Sequence, residues 1–164
     1  MPWLVVGMLS LLLSRLAGAQ DYQWMEIVIE GTTVVQAWQI NDIRQVAISG
    51  TTDGRSGIYQ DDTFTPLPPL EGFTVGALGT NNGSVITGYA TDPAGIQHGF
   101  ILCGSNYTLF SRPGWDNTGP RAIADSGLIT GENHSMDMTR SAGFIYDPDI
   151  GFRDATPPGS PTPS

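Results

Sequence analysis

Two aspartates, Asp42 and Asp125, form the pair of acids whose placement could support catalysis. They occupy the same position in two related segments, INDIRQVAISG and IADSGLITGEN. If the segments are repeats of a closed ring, both carboxylates lie at one level, within the about 5 to 10 Å that separates the two acids of a glycosidase. The alternative is that each carboxylate accepts N–H bonds from its own turn. The sequence leaves both interpretations open.

A second kind of chemistry, sugar binding, would use amides and carboxylates beside an exposed aromatic ring. Tryptophan stacks on the apolar face of a sugar, and Asn and Asp side chains bind its hydroxyls. Trp115 and Asp116 lie in a Gly- and Pro-rich loop, where the alternative role of Trp115 is packing over a sheet edge. The candidate binding residues are Asn41, Asp42, Asn81, Asn82, Trp115, Asp116 and Asp125.

Composition excludes or disfavours several other classes. The 164 residues contain 16 Asp and Glu against 7 Lys and Arg, and all seven cations are Arg. Without Lys there is no lysine nucleophile, Schiff base or P-loop, and the net charge of -9 disfavours nucleic acid as a partner. Calcium-loop and serine-elbow motifs are absent, and two His with one Cys do not make a zinc site. We therefore assign no catalytic residue, metal or cofactor, and a non-enzymatic role is favoured over an enzymatic one.

The two ends of the chain indicate export. Residues 1–19 contain an apolar run too short to span a bilayer, followed by Ala17-Gly18-Ala19, a signal-peptidase pattern. We expect a signal peptide over 1–19 and a secreted, extracellular or cell-surface location, with the periplasm as the alternative. Residues 156–164 are rich in Pro, Gly and Ser, which predicts a disordered tail. The lone Cys103, in the apolar stretch FILCG, is expected to be buried or half-buried, with intermolecular pairing or reactivity as the alternative.

Residues 20–155 are predicted to form a single β domain. No stretch beyond Gln20 shows helical periodicity, and Gly, Asn, Asp and Pro interrupt the chain at short intervals. Between them lie short runs rich in β-branched and aromatic residues, which favour strands.

Three internal repeats of about 42 residues, over about 33–71, 72–114 and 115–155, each have room for four short strands. In each repeat a motif ending in Gly precedes a Gly-aliphatic or Gly-aromatic strand. We expect Gly50, Gly88 and Gly131 to end their strands at turns with positive φ. The motifs are AISG, VITG and LITG, followed by GIY, GFIL and GFIY.

The size of the repeat predicts propeller-like blades of antiparallel strands. A propeller typically has about four to eight blades, so a three-fold β-trefoil or β-prism is the alternative. The segment DYQWMEIVIEG, residues 21–31, is expected to add a strand that covers an open edge or pairs with another chain.

These repeats resemble the extracellular HAF repeat family, in which an Ile-Asn-Asn/Asp-x-Gly-Gln-Val-Val-Gly stretch precedes an aliphatic-aromatic strand. The resemblance covers residues 33–155. Arg44 and Ile48 stand where the family has Gly, and Ala124 replaces its Asn. The second repeat fits with an insertion near Asn81 and Asn82. The resemblance implies an exported bacterial protein and fixes no activity.

The expected function is that of an exported, non-enzymatic β-repeat protein acting as an extracellular interaction or surface module. A carbohydrate-binding module and a glycoside hydrolase using paired Asp are the two alternatives. The expected partner is a glycan or another protein, with self-association through an open sheet edge. We expect neither nucleic-acid binding nor a membrane span in the mature chain.

Overall fold

The structure, a computed structural model, describes residues 26–33 and 36–155. The signal peptide expected over 1–19 and the tail expected over 156–164 lie outside the described residues.

The expected all-β, antiparallel fold is confirmed. Every regular element in the described part of the chain is a strand, and the strands form three four-stranded antiparallel sheets. Sheet A contains β1 (Gln36–Ile40), β2 (Val46–Ser49), β3 (Gly57–Gln60) and β4 (Thr63–Pro66). Sheet B contains β5 (Thr74–Thr80), β6 (Ile86–Thr91), β7 (Gln97–Cys103) and β8 (Asn106–Phe110). Sheet C contains β9 (Asn117–Ile123), β10 (Ile129–His134), β11 (Ser141–Asp147) and β12 (Gly151–Asp154).

Each sheet is an open meander in which every strand pairs with the next strand in sequence, because short turns join antiparallel neighbours. The first strand of each later sheet packs against the sheet before it. Thus β5 contacts β1 and β2, while β9 contacts β5, β6 and β7. The three first strands, β1, β5 and β9, therefore lie next to one another.

Because side chains alternate along a strand, each sheet has two faces. We call the front face the one that carries Val46 in sheet A, Ile86 in sheet B and Ile129 in sheet C. The back face carries the cross-strand pairs Ala47 and Ile58 in sheet A, Thr87 and Ile101 in sheet B, and Thr130 and Ile145 in sheet C.

The core between sheets B and C shows how the faces meet. Ile129 and Phe144, both fully buried on the front face of sheet C, pack with Ile101 and Val85 from the back face of sheet B. Phe110, at the end of β8, joins this cluster and stacks on Tyr146 at 4.2 Å between ring centroids. Burying an aliphatic or aromatic side chain contributes about 1.5 to 3 kcal/mol. The back face of sheet B on the front face of sheet C is therefore the contact that joins these two sheets.

The expected role of Gly88 and Gly131 as strand-ending turn residues is wrong. Both lie inside strands, and of the three glycines only Gly50, after β2, has positive φ. A Cβ on Gly88 would lie 1.9 Å from the carbonyl oxygen of Gly76, so close approach of the neighbouring strand requires glycine. Directly opposite lies a bulky residue, in the pairs Gly88 with Phe100 and Gly131 with Phe144.

Sheet A carries the same small-and-large pair in reverse. Ile48 lies opposite Gly57, at the position where sheets B and C have Gly opposite Phe. The ring of Phe64 covers Gly57, since a Cβ there would lie 2.9 Å from that ring. Because Gly57 pairs with Ile48, it occupies the position that Phe100 has in sheet B. The sequence motifs instead align Gly57 with Gly99, one residue earlier.

Residues 26–33 cover the start of the array. Ile27 and Ile29 pack on the front face of sheet A, where they bury Ile48 and Tyr59. No strand is assigned to residues 26–31, so in its described part the segment does not form the expected extra strand. It occupies the place that the connection through Leu67 and Leu70 takes on sheet B.

Candidate functional site at the equivalent turns

Three turns of equal length join the first and second strands of the sheets. In each turn the N–H of the fourth residue donates to the carbonyl of the first, at 3.0, 2.9 and 2.9 Å in chain order. The fourth residue has positive φ in all three, with values of 63°, 56° and 86°. No insertion near Asn81 and Asn82 is present, so that expectation is wrong. The turns are Asn41–Arg44, Asn81–Ser84 and Ala124–Gly127.

The two candidate acids meet across the amide of Asn82, which holds the equivalent position in the middle turn. Its Nδ2 donates to Asp42 Oδ2 at 2.8 Å and to Asp125 Oδ2 at 2.7 Å. The main chain adds two more bonds, from Asp42 N–H to Asn82 Oδ1 at 2.9 Å and from Asn82 N–H to Asp125 Oδ1 at 2.8 Å. The space between the carboxylates is therefore filled by a side chain of the protein.

Asn41 and Asn81, which precede Asp42 and Asn82, form a second set of hydrogen bonds between neighbouring turns. Asn41 Nδ2 donates to the carbonyl of Asn81 at 2.8 Å, and Asn81 Nδ2 donates to the carbonyl of Ala124 at 3.2 Å. Each Asn Oδ1 also accepts an N–H from its own turn, from Gln45 and from Val85. Each Asn therefore shapes one turn and ties it to the next sheet. Ala124 has no side-chain amide, so this set of hydrogen bonds between turns ends at sheet C.

Five of the seven predicted binding residues thus come together. Asn41, Asp42, Asn81, Asn82 and Asp125 line one shallow depression of about 200 Å³ at the turn edge of the array. The chemistry available there is mainly structural, because the polar atoms of these residues bind one another across the sheets. Sequence equivalence predicted that Asp42 and Asp125 lie at one level if the repeats close into a ring; in the structure both carboxylates accept a hydrogen bond from Asn82 Nδ2.

Trp115 and Asp116 lie in a different place. Asp116 Oδ2 accepts the N–H of Met136 at 2.7 Å, next to a separate depression of about 410 Å³. The guanidinium of Arg140 stacks over the ring of Trp115, with 5.0 Å from Cζ to the centroid. A sugar stacking on that face of the tryptophan would have to displace the cation.

Two aspartates outside the predicted set have strongly lowered pKa values. The Thr51 hydroxyl, at 2.7 Å from Oδ1, is the main cause that lowers the pKa of Asp53 to about 2. The Ser135 hydroxyl, at 2.6 Å, acts in the same way and lowers the pKa of Asp137 to about 2. Both lie in turns between second and third strands. The Thr-x-Asp and Ser-x-Asp spacing of these turns was the available sequence signal.

A Ser, a His and an Asp lie in line beside sheet B, an arrangement that sequence reasoning missed. His98 Nδ1 lies 2.7 Å from Ser111 Oγ, and His98 Nε2 lies 3.4 Å from Asp92 Oδ2, which is long for a hydrogen bond. The residue after a nucleophilic serine often donates its N–H to an oxyanion. Here the N–H of Arg112 donates to Thr118 Oγ1 instead. The arrangement therefore lacks that oxyanion donor.

Several further features bear on what the surface can bind. Cys103 is exposed at the end of β7, so the expectation that it is buried or half-buried is wrong: the strand ends there and its side chain faces solvent. Over residues 26–33 and 36–155, no group of three or more His, Cys, Asp or Glu side chains could hold a metal ion. The same residues contain no helix long and apolar enough to cross a membrane.

Comparison with known proteins gives no further guide to function. No family model matches the chain, and searches of curated proteins and of solved structures find no similar protein.

Proposed function

We propose that the protein is an exported, non-enzymatic β-repeat module that acts through contacts with other macromolecules outside the cell. The observation that carries the proposal is the Asp42–Asn82–Asp125 bridge. The residues with the most suggestive chemistry bind one another and join the three sheets. A protein whose polar turn residues are used in this way offers surfaces rather than a reaction centre.

Propeller-like blades are the arrangement that we propose for the three sheets. Four antiparallel strands in sequence order in each sheet, with the first strands of neighbouring sheets adjacent, are features that a blade array requires. The resemblance of residues 33–155 to the HAF repeat family agrees with this arrangement. It also agrees with export, as does the signal-like pattern of residues 1–19.

Hydrolysis is the competing function, and it can be tested directly. Wild-type protein and the variants Asp42→Asn, Asp125→Asn and Ser111→Ala would be assayed on a panel of polysaccharides and on a simple activated ester. We expect no turnover by any of them, because the carboxylates are tied to Asn82 and the serine lacks the usual oxyanion donor.

The opposite result is equally clear. Turnover by the wild type that is lost in both Asp variants, with unchanged circular dichroism, would replace this proposal with a glycoside hydrolase. Loss in Ser111→Ala alone would indicate an esterase. Asp149→Asn, in the exposed turn after β11, is the matched control for removing one negative charge.

Export is tested by expressing the full sequence in a secreting bacterial host. We expect protein outside the cytoplasm with Gln20 as its first residue, because cleavage should follow Ala19. Protein that stays in the cytoplasm and retains Met1 would contradict this part of the proposal.

A further inference from the structure

We propose that two copies of this chain join head to tail and close a ring of six sheets, in which the back face of each sheet C packs on the front face of the other copy's sheet A. The inference rests on the blade-like arrangement and the interaction role proposed above, and it names the partner. Each of the two contacts would repeat the one that joins sheet B to sheet C within the chain.

The first observation is an exposed apolar residue on sheet A whose counterparts are buried. Ile40, Thr80 and Ile123 are the last residues of β1, β5 and β9. Thr80 and Ile123 are 0% and 3% exposed, where β5 lies against sheet A and β9 against sheet B. Ile40 is 64% exposed, and none of the described sheets precedes sheet A. The front of sheet A therefore presents the kind of surface that receives a preceding sheet.

The cover formed by residues 26–33 does not close this surface. Ile27 and Ile29 take the place on sheet A that Leu67 and Leu70 take on sheet B. Sheet B still contacts sheet A, through β5 on β2. A cover of this kind is therefore compatible with a further sheet in front of sheet A.

The back face of sheet C is the complementary surface. Ala47, Thr87 and Thr130 hold the same position on the back faces of sheets A, B and C. Ala47 and Thr87 are fully buried, where β5 contacts β2 and β9 contacts β6, whereas Thr130 is exposed. Thr130 lies with Ile145 in an open groove of about 590 Å³, and Ile145 matches Ile101, which packs on sheet C. The two open faces are thus the two halves of a contact that the chain already makes.

The hydrogen bonds of the equivalent turns can continue across the same contact. Within the chain, the N–H of Asp42 donates to Asn82 Oδ1, and the N–H of Asn82 donates to Asp125 Oδ1. The next step takes the N–H of Asp125 to Asp42 Oδ1 of the other copy, because Asn82 Nδ2 binds only Oδ2 of Asp42. No amide separates the two carboxylates at this point, so their repulsion limits the affinity.

A head-to-tail contact closes into a ring only if the array is bent. Gln39 on β1 exchanges two hydrogen bonds with Ile123 on β9, and the guanidinium of Arg121 lies over the ring of Trp38. The first and third of the first strands thus meet past the second, so their row is bent rather than straight. Propellers typically have about four to eight blades, a range that two copies of three sheets satisfy and three copies exceed.

The closed pair has an interface of standard size. Four strands about 4.8 Å apart and about six residues long at about 3.3 Å each cover roughly 400 Å² per contact, so two contacts bury roughly 800 Å² on each copy. Because the carboxylates oppose each other at both contacts, we expect a dissociation constant on the order of 10 μM.

The test is sedimentation velocity from 1 to 200 μM, comparing the exported wild-type protein with Ile40→Arg and Thr130→Arg. We expect a wild-type monomer–dimer equilibrium and at least tenfold weaker association in each variant, because each places a charge in the contact. Both variants reduce the net negative charge, so general repulsion would not explain the loss. Ile150→Arg, 75% exposed in the turn before β12, is the matched control and should associate like the wild type. Circular dichroism verifies that each variant is folded.

Mixing the two variants tests the orientation. The mixture contains one pair of unaltered faces, the back of sheet C in Ile40→Arg and the front of sheet A in Thr130→Arg. A mixed dimer should therefore form at least fivefold more tightly than either variant associates alone. Wild-type association by Ile40→Arg alone would show that sheet C does not bind sheet A, and it would overturn the inference.

Ala124→Asn should strengthen the pairing. Asn41 and Asn81 each donate Nδ2 to a carbonyl in the next turn, and in the ring the new amide reaches the carbonyl of Asn41 in the other copy. We expect about tenfold tighter association, because each of the two contacts gains a hydrogen bond. At submicromolar concentration, where the monomer prevails, unfolding should not change. Association equal to that of the wild type would contradict the head-to-tail arrangement.

A wild-type protein that stays monomeric up to 200 μM, or that forms oligomers larger than a dimer, would also overturn the inference. A monomer without catalytic turnover would overturn this inference alone. Turnover in the hydrolysis assay by a protein that dimerises as described would overturn the proposed non-enzymatic function alone.

Discussion

The turns at the two ends of the second strands use the same residue types for opposite purposes. Where first and second strands meet, Asn82 binds residues 40 and 43 positions away, in the neighbouring sheets. Where second and third strands meet, Asp53 and Asp137 bind partners two positions away, within their own turns. The first kind of turn holds sheets together, and the second shapes one hairpin. Asp and Asn in a turn motif therefore do not reveal by themselves which role they have.

Asn82→Ala should have the largest effect. It removes two donated bonds and one accepted bond and leaves both carboxylates without their shared partner, which costs about 2 to 3 kcal/mol of unfolding free energy. Urea denaturation measures the loss. Asn106→Ala, at the exposed first position of β8, is the control and should stay within about 0.5 kcal/mol of the wild type. Equal stability of the two variants would mean that the bridge does not join the sheets.

Replacing the two acids should give unequal losses. Asp125 accepts from both nitrogens of Asn82, whereas Asp42 accepts only from its side chain. Asp125→Asn loses one acceptor oxygen and should cost about 1 kcal/mol, while Asp42→Asn can keep its one bond and should cost less. Thermal unfolding of both variants in parallel measures the difference. A larger loss for Asp42→Asn would contradict the bridge geometry.

The aspartates in the turns between second and third strands should make the free energy of unfolding depend on pH. Because the folded protein lowers the pKa of Asp53 and Asp137 to about 2 from the ordinary 3.8, the unfolded chain binds more protons than the folded protein as the pH falls between these values. Stability is thus present above about pH 4 and falls as the pH drops toward 2. Unfolding measured at several pH values should give a flatter profile for the double variant Asp53→Asn/Asp137→Asn. Asp149→Asn is the control, and a double variant with the wild-type slope would refute the assignment.

The smallest effect is expected for Ala124→Asn, which restores the amide of the first two turns at the third. With no described sheet beyond sheet C to accept its bond, the new side chain should change the unfolding free energy by no more than about 0.5 kcal/mol. Asn81→Ala, which removes a donated bond to the next sheet and two bonds accepted within its own turn, is the comparison and should cost about 2 kcal/mol. A clear gain from Ala124→Asn would show that an acceptor lies beyond sheet C.

Much of the fold could be predicted because strand and turn signals are local. The spacing of turn residues and the β-branched runs were sufficient for short antiparallel strands. The strand register could not be predicted in this way, because it depends on which residues lie opposite each other. In sheet A the pair of Ile48 with Gly57 reverses the order of the Gly and Phe pairs in the other sheets. The alignment of the motifs missed this reversal. Gly88 was misassigned for the same reason, because the carbonyl that excludes its Cβ belongs to another strand.

In the candidate site, only the features that follow from equivalent positions in the repeats could be predicted. The equivalent positions of Asp42 and Asp125 in the repeat suggested that they lie near each other. The role of Asn82 between them is visible only from its two hydrogen bonds in the structure. Trp115 looked like an exposed platform because the chain does not show that Arg140, 25 positions away, stacks on it. His98 and Ser111 likewise meet through pairing of β7 with β8.

One contact changes how the molecule should unfold. Gln39, in the first sheet, exchanges two hydrogen bonds with the main chain of Ile123 in the third, 84 positions away. In a simple linear array each unit touches only its neighbours, so ends can fray one unit at a time. Here loss of the last unit removes the hydrogen-bond partners of the Gln39 amide, which lies in the first unit. Fraying at one end therefore weakens the other, and the three units should melt in a single cooperative transition.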